Sequence, residues 1–267
     1  MGNYVHGYSV EEAHRLNDQA QATADFLHYD SIWPEGSHIL EAGCGVGAQT
    51  RIIAAQNPSC RFTSIDISPD SVAQVNATIS SLGLENVTFQ EADIFQLPFE
   101  DNSFDHVFIC FVLEHLGEPV KALKEVQRVL KPGGTVTVIE GDHGSTYFHP
   151  DSLDAQRAVQ HQITLQQLGG GDANIGRRLY PLMASSGLEK VQISPRQIYV
   201  DDSKPALVEG FTLNTFTAMI EGIAEDAIEA GLTNRQDMEK GISDLARTAK
   251  GGGTFCYTFF KGKGIKP

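Results

Sequence analysis

The stretch Ile39-Leu-Glu-Ala-Gly-Cys-Gly-Val-Gly-Ala-Gln-Thr50 sets three glycines at alternate positions behind a short apolar run, with Glu41 two residues ahead of the first. Such a run reads as a strand. Gly43, Gly45 and Gly47 remove the Cβ atoms that would stop the chain from turning sharply into a helix or approaching a ligand closely. With Ala48 in sixth place the turn also satisfies the pattern Gly-x-Gly-x-x-Gly/Ala of dinucleotide-binding loops. The glycines alone therefore leave open a turn that binds nothing, a nicotinamide dinucleotide and another nucleoside ligand. Glu41 shifts that balance, because a carboxylate beside a pyrophosphate is unfavourable and one beside an ammonium or sulfonium charge is favourable.

Downstream of this turn, strand-like and helix-like segments alternate. CRFTSID, VTFQEAD, DHVFICFVLEH and TVTVIEG read as strands, and TRIIAAQ, SPDSVAQVNATISSLG and PVKALKEVQRVL as the helices between or before them. Such alternation implies right-handed crossovers and a parallel sheet. Beyond Gly141 the texture changes. Residues 151–186 look helical, LEKVQISPRQIYV resembles a strand interrupted or bulged at Pro195, Asp202 to Gly253 read as two helices, and TFCYTFFKG closes the chain as a strand. The expected fold is α/β: a Rossmann-like, seven-stranded, mostly parallel sheet with the last strand antiparallel and helices on both faces. Before it, Ser9 and the glutamate three residues later form a capping box for a helix running to His28.

The 267 residues suffice for one large domain with an added lobe, and 41% hydrophobic with 20% charged residues is ordinary for a globular chain. A formal charge of -14 argues against nucleic acid and anionic membrane as partners, since neither polyanion gains counterion release from such a surface. Cys44, Cys60, Cys110 and Cys256 lie far apart without a Cys-x-x-Cys pair, so neither a zinc knuckle nor a disulfide framework is indicated. The start lacks a basic and an apolar signal region, and the expected location is the cytoplasm. A homodimer is compatible with the sequence.

Two more acids fall at strand ends. Asp66 closes FTSID about twenty residues after the glycines, where a carboxylate can accept from both hydroxyls of a ribose; Ser68 is a better cap for the helix that follows. Asp93 closes VTFQEAD, and with Ala92 and Ile94 could hold an adenine by its exocyclic amine and its faces.

Taken together, ILEAGCGVG, SIDIS, EADIFQLPFEDNSFD, VFICFVLEHL and EVQRVLKPGGTVTVIE resemble the class I S-adenosylmethionine-dependent methyltransferases, in particular their ubiquinone/menaquinone-type, methyltransferase-11-like group. The resemblance runs from about Gly36 to Gly141. It implies S-adenosylmethionine as cofactor, with Glu41, Gly43, Gly45 and Gly47 under its methionine and ribose portion, Asp66 on the ribose, Ile67 against the adenine and Asp93 at the adenine edge. It also implies Phe111, Val112, Glu114 and His115 near the methyl group. The leader YVHGYSVEEAHRLNDQA is similar to lid segments of small-molecule methyltransferases, which would put Tyr4, Tyr8 and Gln19 near the cofactor. Residues 1–35 are then a helical lid and residues 36–267 a cofactor-binding methyltransferase domain, with acceptor-side helical additions at about 151–186 and 202–253. The proline-rich strand end of DNA and protein-glutamine methylation is absent, as is a paired-glutamate loop of the arginine-methylating kind.

Methyl transfer from a sulfonium needs alignment and exclusion of water, and needs a base only when the acceptor is a neutral hydroxyl, thiol or carbon acid. His115 and His143 fall at strand ends on the active edge; His143 is the preferred base, with Asp142 as its orienter or a substrate contact. No third ligand stands at a telling spacing from the Asp-His pair, so no metal is expected. Phe216, Met219 and Ile220 at helical spacing suggest an acceptor that is small or medium-sized and partly apolar, while Arg177, Arg178 and Tyr180 could meet an acidic one. A catalytically idle cofactor-binding or interaction module and a nicotinamide oxidoreductase are the alternatives.

Overall fold

The computed structural model describes residues 10–267. The first helix, α1, spans Val10–His28; the capping serine, Tyr4 and Tyr8 lie outside the described residues. Then follow β1 (His38–Ala42), α2 (Thr50–Gln56), β2 (Arg61–Asp66), α3 (Pro69–Ser81), β3 (Val87–Glu91), β4 (Phe104–Cys110), α4 (Pro119–Val129) and β5 (Leu130–His149). The second half contains α5 (Leu153–Leu168), α6 (Leu179–Ser185), β6 (Glu189–Val200), α7 (Pro205–Leu207), a π-helix (Val208–Thr217), α8 (Ala218–Gly222), α9 (Ala224–Glu229), α10 (Arg235–Arg247) and β7 (Thr254–Ile265).

The seven strands form one sheet in the order β3-β2-β1-β4-β5-β7-β6. The first five pair in parallel, and β7 inserts antiparallel between β5 and β6. Alternation along the strands divides the core between the two faces. Ile39, Phe62, Phe108 and Ile139 pack with Leu27, Trp33 and Ile53 on one face; Leu40, Ile65, Val107, Ile109 and Val138 pack with Leu123, Val126, Leu179 and Met183 on the other. The buried stripe of α4, Ala122, Leu123, Val126 and Val129, has the spacing of one helical face, and Pro119 at its first turn costs no hydrogen bond there. Each central strand is thus apolar on both sides, as a doubly covered parallel sheet requires.

Three expectations change in detail. The register irregularity of β6 lies between Glu189 and Gln192, where Lys190 has φ +50°, and the strand runs through Pro195, which pairs with Phe260. Since β6 is the sheet edge, the missing N–H of proline is tolerated. The fifth strand continues past Gly141 to His149, with a bulge between Asp142 and Tyr147, so His143 sits in the strand and not in a loop. Residues 205–247 form a broken series built around a ten-residue π-helix instead of two helices. Within it Thr215 and Thr217 donate their hydroxyls to the carbonyls five residues back, matching the wide turn.

Behind the sheet, two cations reach the end of α1. The Arg196 guanidinium donates to the carbonyls of Phe26 and Leu27 and, at 2.5 Å, to Asp30, while also lying over the Tyr29 ring. The Lys261 ammonium donates to Asp30 at 2.6 Å, to Ser31 and to the Leu27 carbonyl. Cations at a helix C-terminus satisfy its last carbonyls and oppose its dipole. Burial pulls Lys261 below the ordinary lysine range, a cost that Asp30 offsets. Arg196→Ala is expected to reduce unfolding free energy by about 2–3 kcal/mol in urea titration, because it strips α1 of donors and strands part of a buried ion cluster. Lys131→Ala, which removes an exposed pair with Asp105, is expected to cost less than about 1 kcal/mol. Equal losses for the two variants would contradict the anchoring role.

Candidate active site

The carboxyl ends of β1, β2, β3, β4 and β5 bring the sequence-selected residues to one edge of the sheet. At its centre the chain leaving β1 is stitched to β2: the Gly43 and Cys44 N–H groups both donate to the Ile65 carbonyl, at 2.8 and 2.9 Å, and the Gly45 N–H donates to Asp66 at 2.8 Å. Gly43 and Gly47 have φ of +85° and +79°, and a Cβ added to them would stand 2.3 Å from a Val112 methyl and 2.2 Å from a Val75 methyl. Close packing against the neighbouring strand end and against α3 therefore demands glycine at both places. Gly45, by contrast, has nothing within 4 Å of an added Cβ.

Asp66 accepts from Gly45 N–H through one oxygen and from Ser68 N–H through the other, and Ser68 in turn caps α3 through Ser71 N–H. Each carboxylate oxygen retains acceptor capacity for a ligand hydroxyl. Ile67 beside it is 44% exposed, a large apolar side chain left at the edge. Asp93 accepts from Phe95 N–H at 2.8 Å, and its neighbours Ala92 and Ile94 are only partly buried. Phe111, after β4, holds φ +57°, a conformation that is unfavourable for an aromatic residue. It is secured by its N–H to the Ile139 carbonyl and by the Phe259 ring 5.6 Å away. Val112 is half-buried and covers Gly43. The open Gly45, the carboxylate of Asp66 and the uncovered Ile67, Ala92 and Ile94 fit a nucleoside with its ribose and adenine on this edge.

Glu41 is expected beside a cationic ligand, and the structure buries it. It is 2% exposed and accepts from Thr50 and Ser64 hydroxyls at 2.7 and 2.6 Å, which directs it under the turn rather than out of it. Burial raises its pKa to about 7, with the two hydroxyls opposing. Gln19 stands on α1 and accepts from Arg15 at 3.4 Å.

On the acceptor side, Asp142 does not orient His143. Its carboxylate takes a two-point grip from Arg177, at 2.7 and 2.5 Å, while Arg178 pairs with Asp172. Tyr180 is exposed. The ring of His143 lies instead between Tyr257, whose hydroxyl is 2.9 Å from Nδ1, and Met219, whose sulfur is 3.3 Å from Nε2; Phe216 packs 6.0 Å away. Burial lowers the pKa of His143 below its ordinary value. His115 ends a 3-10 turn, Leu113–His115, with Nε2 3.8 Å from the buried Glu114. Glu114 itself receives the amide of Gln166 at 3.1 Å.

Two groups at this edge were not singled out by sequence. Glu140, fully buried at the end of the apolar TVTVIE run, accepts from the Val112 and Leu113 N–H groups at 3.1 and 2.8 Å and so ties β5 to the turn after β4. Burial and the neighbouring Glu114 push its pKa well up. Tyr257 lies on β7, where the alternation of TFCYTFF marked a strand without distinguishing its tyrosine. Among the described residues no group of three or more His, Cys, Asp or Glu could hold a metal ion, and no helix is long and apolar enough to cross a membrane.

A glycine turn under an acid-tipped second strand, on a sheet of this order, defines a class I methyltransferase fold. Residues 40–138 match the profile of a family described as a methyltransferase domain. It is 34% identical over 214 residues to an uncharacterized 37.1 kDa protein in transposon Tn4556 of Streptomyces fradiae, covering 77% of this chain and 61% of that one. It is 40% identical over 107 residues to the demethylmenaquinone methyltransferase of Staphylococcus aureus, covering 40% of this chain and 44% of the relative. The chain thus spans about three fifths of the first relative and under half of the second. Among solved structures, phosphoethanolamine N-methyltransferase 2 of Haemonchus contortus with S-adenosyl-L-methionine aligns at TM-score 0.56 and 18% identity, over 94% of this chain and 52% of that one. The (4+2) cyclase SpnF aligns at TM-score 0.54 and 21% identity, over 94% and 81%. At these identities the likeness is one of fold.

The Glu41 carboxyl gives the edge a pH signature. Its folded pKa of about 7 lies above the ordinary 4.5, so its protonated form contributes stability fully below about pH 4.5, and the contribution is lost as pH rises through about 7. Relative to wild type, Glu41→Gln is expected to gain up to about 3 kcal/mol of unfolding free energy between pH 5 and pH 8. Denaturant titrations of both proteins across that range check this, and a difference that stays flat with pH would refute it.

Proposed function

We propose that the protein transfers the methyl group of S-adenosylmethionine to a small or medium-sized, partly apolar acceptor. The observation that carries this reading is the convergence, within the methyltransferase-domain segment, of Asp66 with Ile67, Ala92 with Asp93 and Ile94, and Phe111 with Val112 around one glycine turn. Asp66 would take the ribose hydroxyls, Ile67, Ala92 and Ile94 the adenine faces, Asp93 the adenine amine, and the backbone of Gly43–Gly47 the path toward the methionine end. When bound, the cofactor supplies an electrophilic methyl on a positively charged sulfur.

The chain's own contribution is to align and to exclude water. Phe216, Met219 and Tyr257 are buried around His143, and Phe111 packs on Phe259, so the acceptor side is aromatic and dry. In-line displacement gains from such confinement without needing a protonated leaving group. Where an acceptor must lose a proton, His115 would receive it, a role its position 3.8 Å from Glu114 supports. Arg177, held by Asp142 yet half exposed, borders this side and suits a polar or acidic group on the acceptor. The acidic surface favours a metabolite over nucleic acid, and four unpaired thiols suit a cytoplasmic setting.

Calorimetry with S-adenosylmethionine and with NAD in parallel tests the cofactor: binding of the first and none of the second is expected, and the reverse would overturn the reading. Asp66→Ala is expected to weaken S-adenosylmethionine binding about 10- to 100-fold, the loss of charge-assisted hydrogen bonds; unchanged affinity would remove Asp66 from the site. Release of S-adenosylhomocysteine over a panel of phenolic, quinol, amine and thiol acceptors tests turnover. Tight cofactor binding without release from any acceptor would make the chain a binding module.

A further inference from the structure

The surroundings of His143 specify which of its nitrogens carries the proton. A thioether sulfur accepts hydrogen bonds and donates none. With Met219 sulfur 3.3 Å from Nε2, a proton on Nε2 gives an N–H···S contact, whereas a bare Nε2 would set two lone pairs against each other. Nδ1 faces the Tyr257 hydroxyl at 2.9 Å. A buried phenol proton needs an acceptor, and Nδ1 supplies one. Both contacts are therefore satisfied by a single arrangement: Tyr257 O–H to Nδ1, and Nε2–H to the Met219 sulfur. The other neutral tautomer leaves both the phenol proton and Nε2 without a partner, at a cost of order 1–3 kcal/mol for each buried group.

The fold invests in this contact. A Cβ on Gly141 would stand 2.3 Å from the Tyr257 hydroxyl, so glycine there leaves the space the phenol occupies. The Tyr257 ring is caged by Phe211, Phe216 and Phe259 at 5.8, 5.6 and 4.7 Å, and burial keeps the phenol protonated. Met219 occupies the opposite nitrogen from α8, a five-residue helix, with an unbranched side chain that can move aside.

We propose that Tyr257 is a positioning residue that holds His143 as the Nε2–H tautomer, so that the imidazole meets the methyl acceptor as a hydrogen-bond donor and not as a base. An acceptor that engages it offers a lone pair in place of the Met219 sulfur: a carbonyl or oxyanion oxygen at or next to the methylated atom. This rests on the reading of the edge as a methyltransferase site, but it is tested on the protein alone, so that its failure and a failure of cofactor binding are seen in separate measurements.

The test is two-bond proton–nitrogen correlation NMR of the full chain with nitrogen-15 histidine, His143 signals being identified by their loss in His143→Gln. Near neutral pH the wild type is expected to show the single Nε2–H pattern. Besides Tyr257, the charged or titratable groups bearing on this ring are Glu114, Asp142, Arg15 and His115. Tyr257→Phe is expected to lose the single-tautomer pattern and to raise the pH at which the ring protonates. Met219→Leu, which removes the sulfur and keeps the volume, is expected to retain the Nε2–H form, since Tyr257 still donates to Nδ1. An Nδ1–H or imidazolium pattern in the wild type would overturn the proposal, as would an unchanged tautomer in Tyr257→Phe or a switched one in Met219→Leu. If Tyr257→Phe does not fold, the wild-type and Met219→Leu spectra still decide.

Discussion

The Ile65 carbonyl is the point on which the site is built. It receives two successive N–H groups, from Gly43 and Cys44, as the chain leaves β1, and the next residue after Ile65, Asp66, receives a third from Gly45. The turn is thereby pinned to the neighbouring strand, and the Gly47 N–H closes it on the Cys44 carbonyl at 2.8 Å. Its shape follows: Gly43 presses on Val112 and Gly47 on Val75, so the turn touches the end of β4 on one flank and α3 on the other. A side chain at Gly43 would press on the chain leaving β4, and one at Gly47 would press on α3.

Burial shifts three titratable groups under and around this turn. Glu41 and Glu140 are both pushed upward, and His143 downward. Burying ionisable groups costs stability, and a fold tolerates it where the chemistry gains. On the proposed reading the gain would be a low local dielectric, in which the positive charge of a sulfonium is poorly solvated and its loss on methyl transfer is favoured. Glu140 also has a mechanical duty, since its two N–H partners place the turn that carries Glu114 and His115.

The parallel half of the sheet was readable because its strands are short apolar runs, ended in β1, β2 and β3 by a glycine or an acid, and each crossover helix carries its own apolar stripe. The tail was less so. Its strand β7 pairs with partners more than a hundred residues upstream, Gly141 with Phe259 and Asp142 with Thr258, and no local pattern reports such pairing. Tyr257 became relevant only through it. Likewise the adjacency of Asp142 and His143 suggested a pair, but successive residues of a strand point to opposite faces, and the two side chains found different partners. Glu41 lies two residues before the glycine turn. What its letter could not convey was the side to which it points, which Thr50 and Ser64 decide.

The π-helix has a consequence for how this segment tolerates change. Phe211 and Phe216, five residues apart, both touch the Phe255 and Tyr257 rings. In an α-helix of 3.6 residues per turn, positions five apart point to different sides; the wider winding brings them onto one. Conservative replacement of either ring would alter packing locally. Loss or gain of one residue between them would rewind the segment and turn one aromatic away from the sheet, so the length of this stretch is under tighter constraint than its composition.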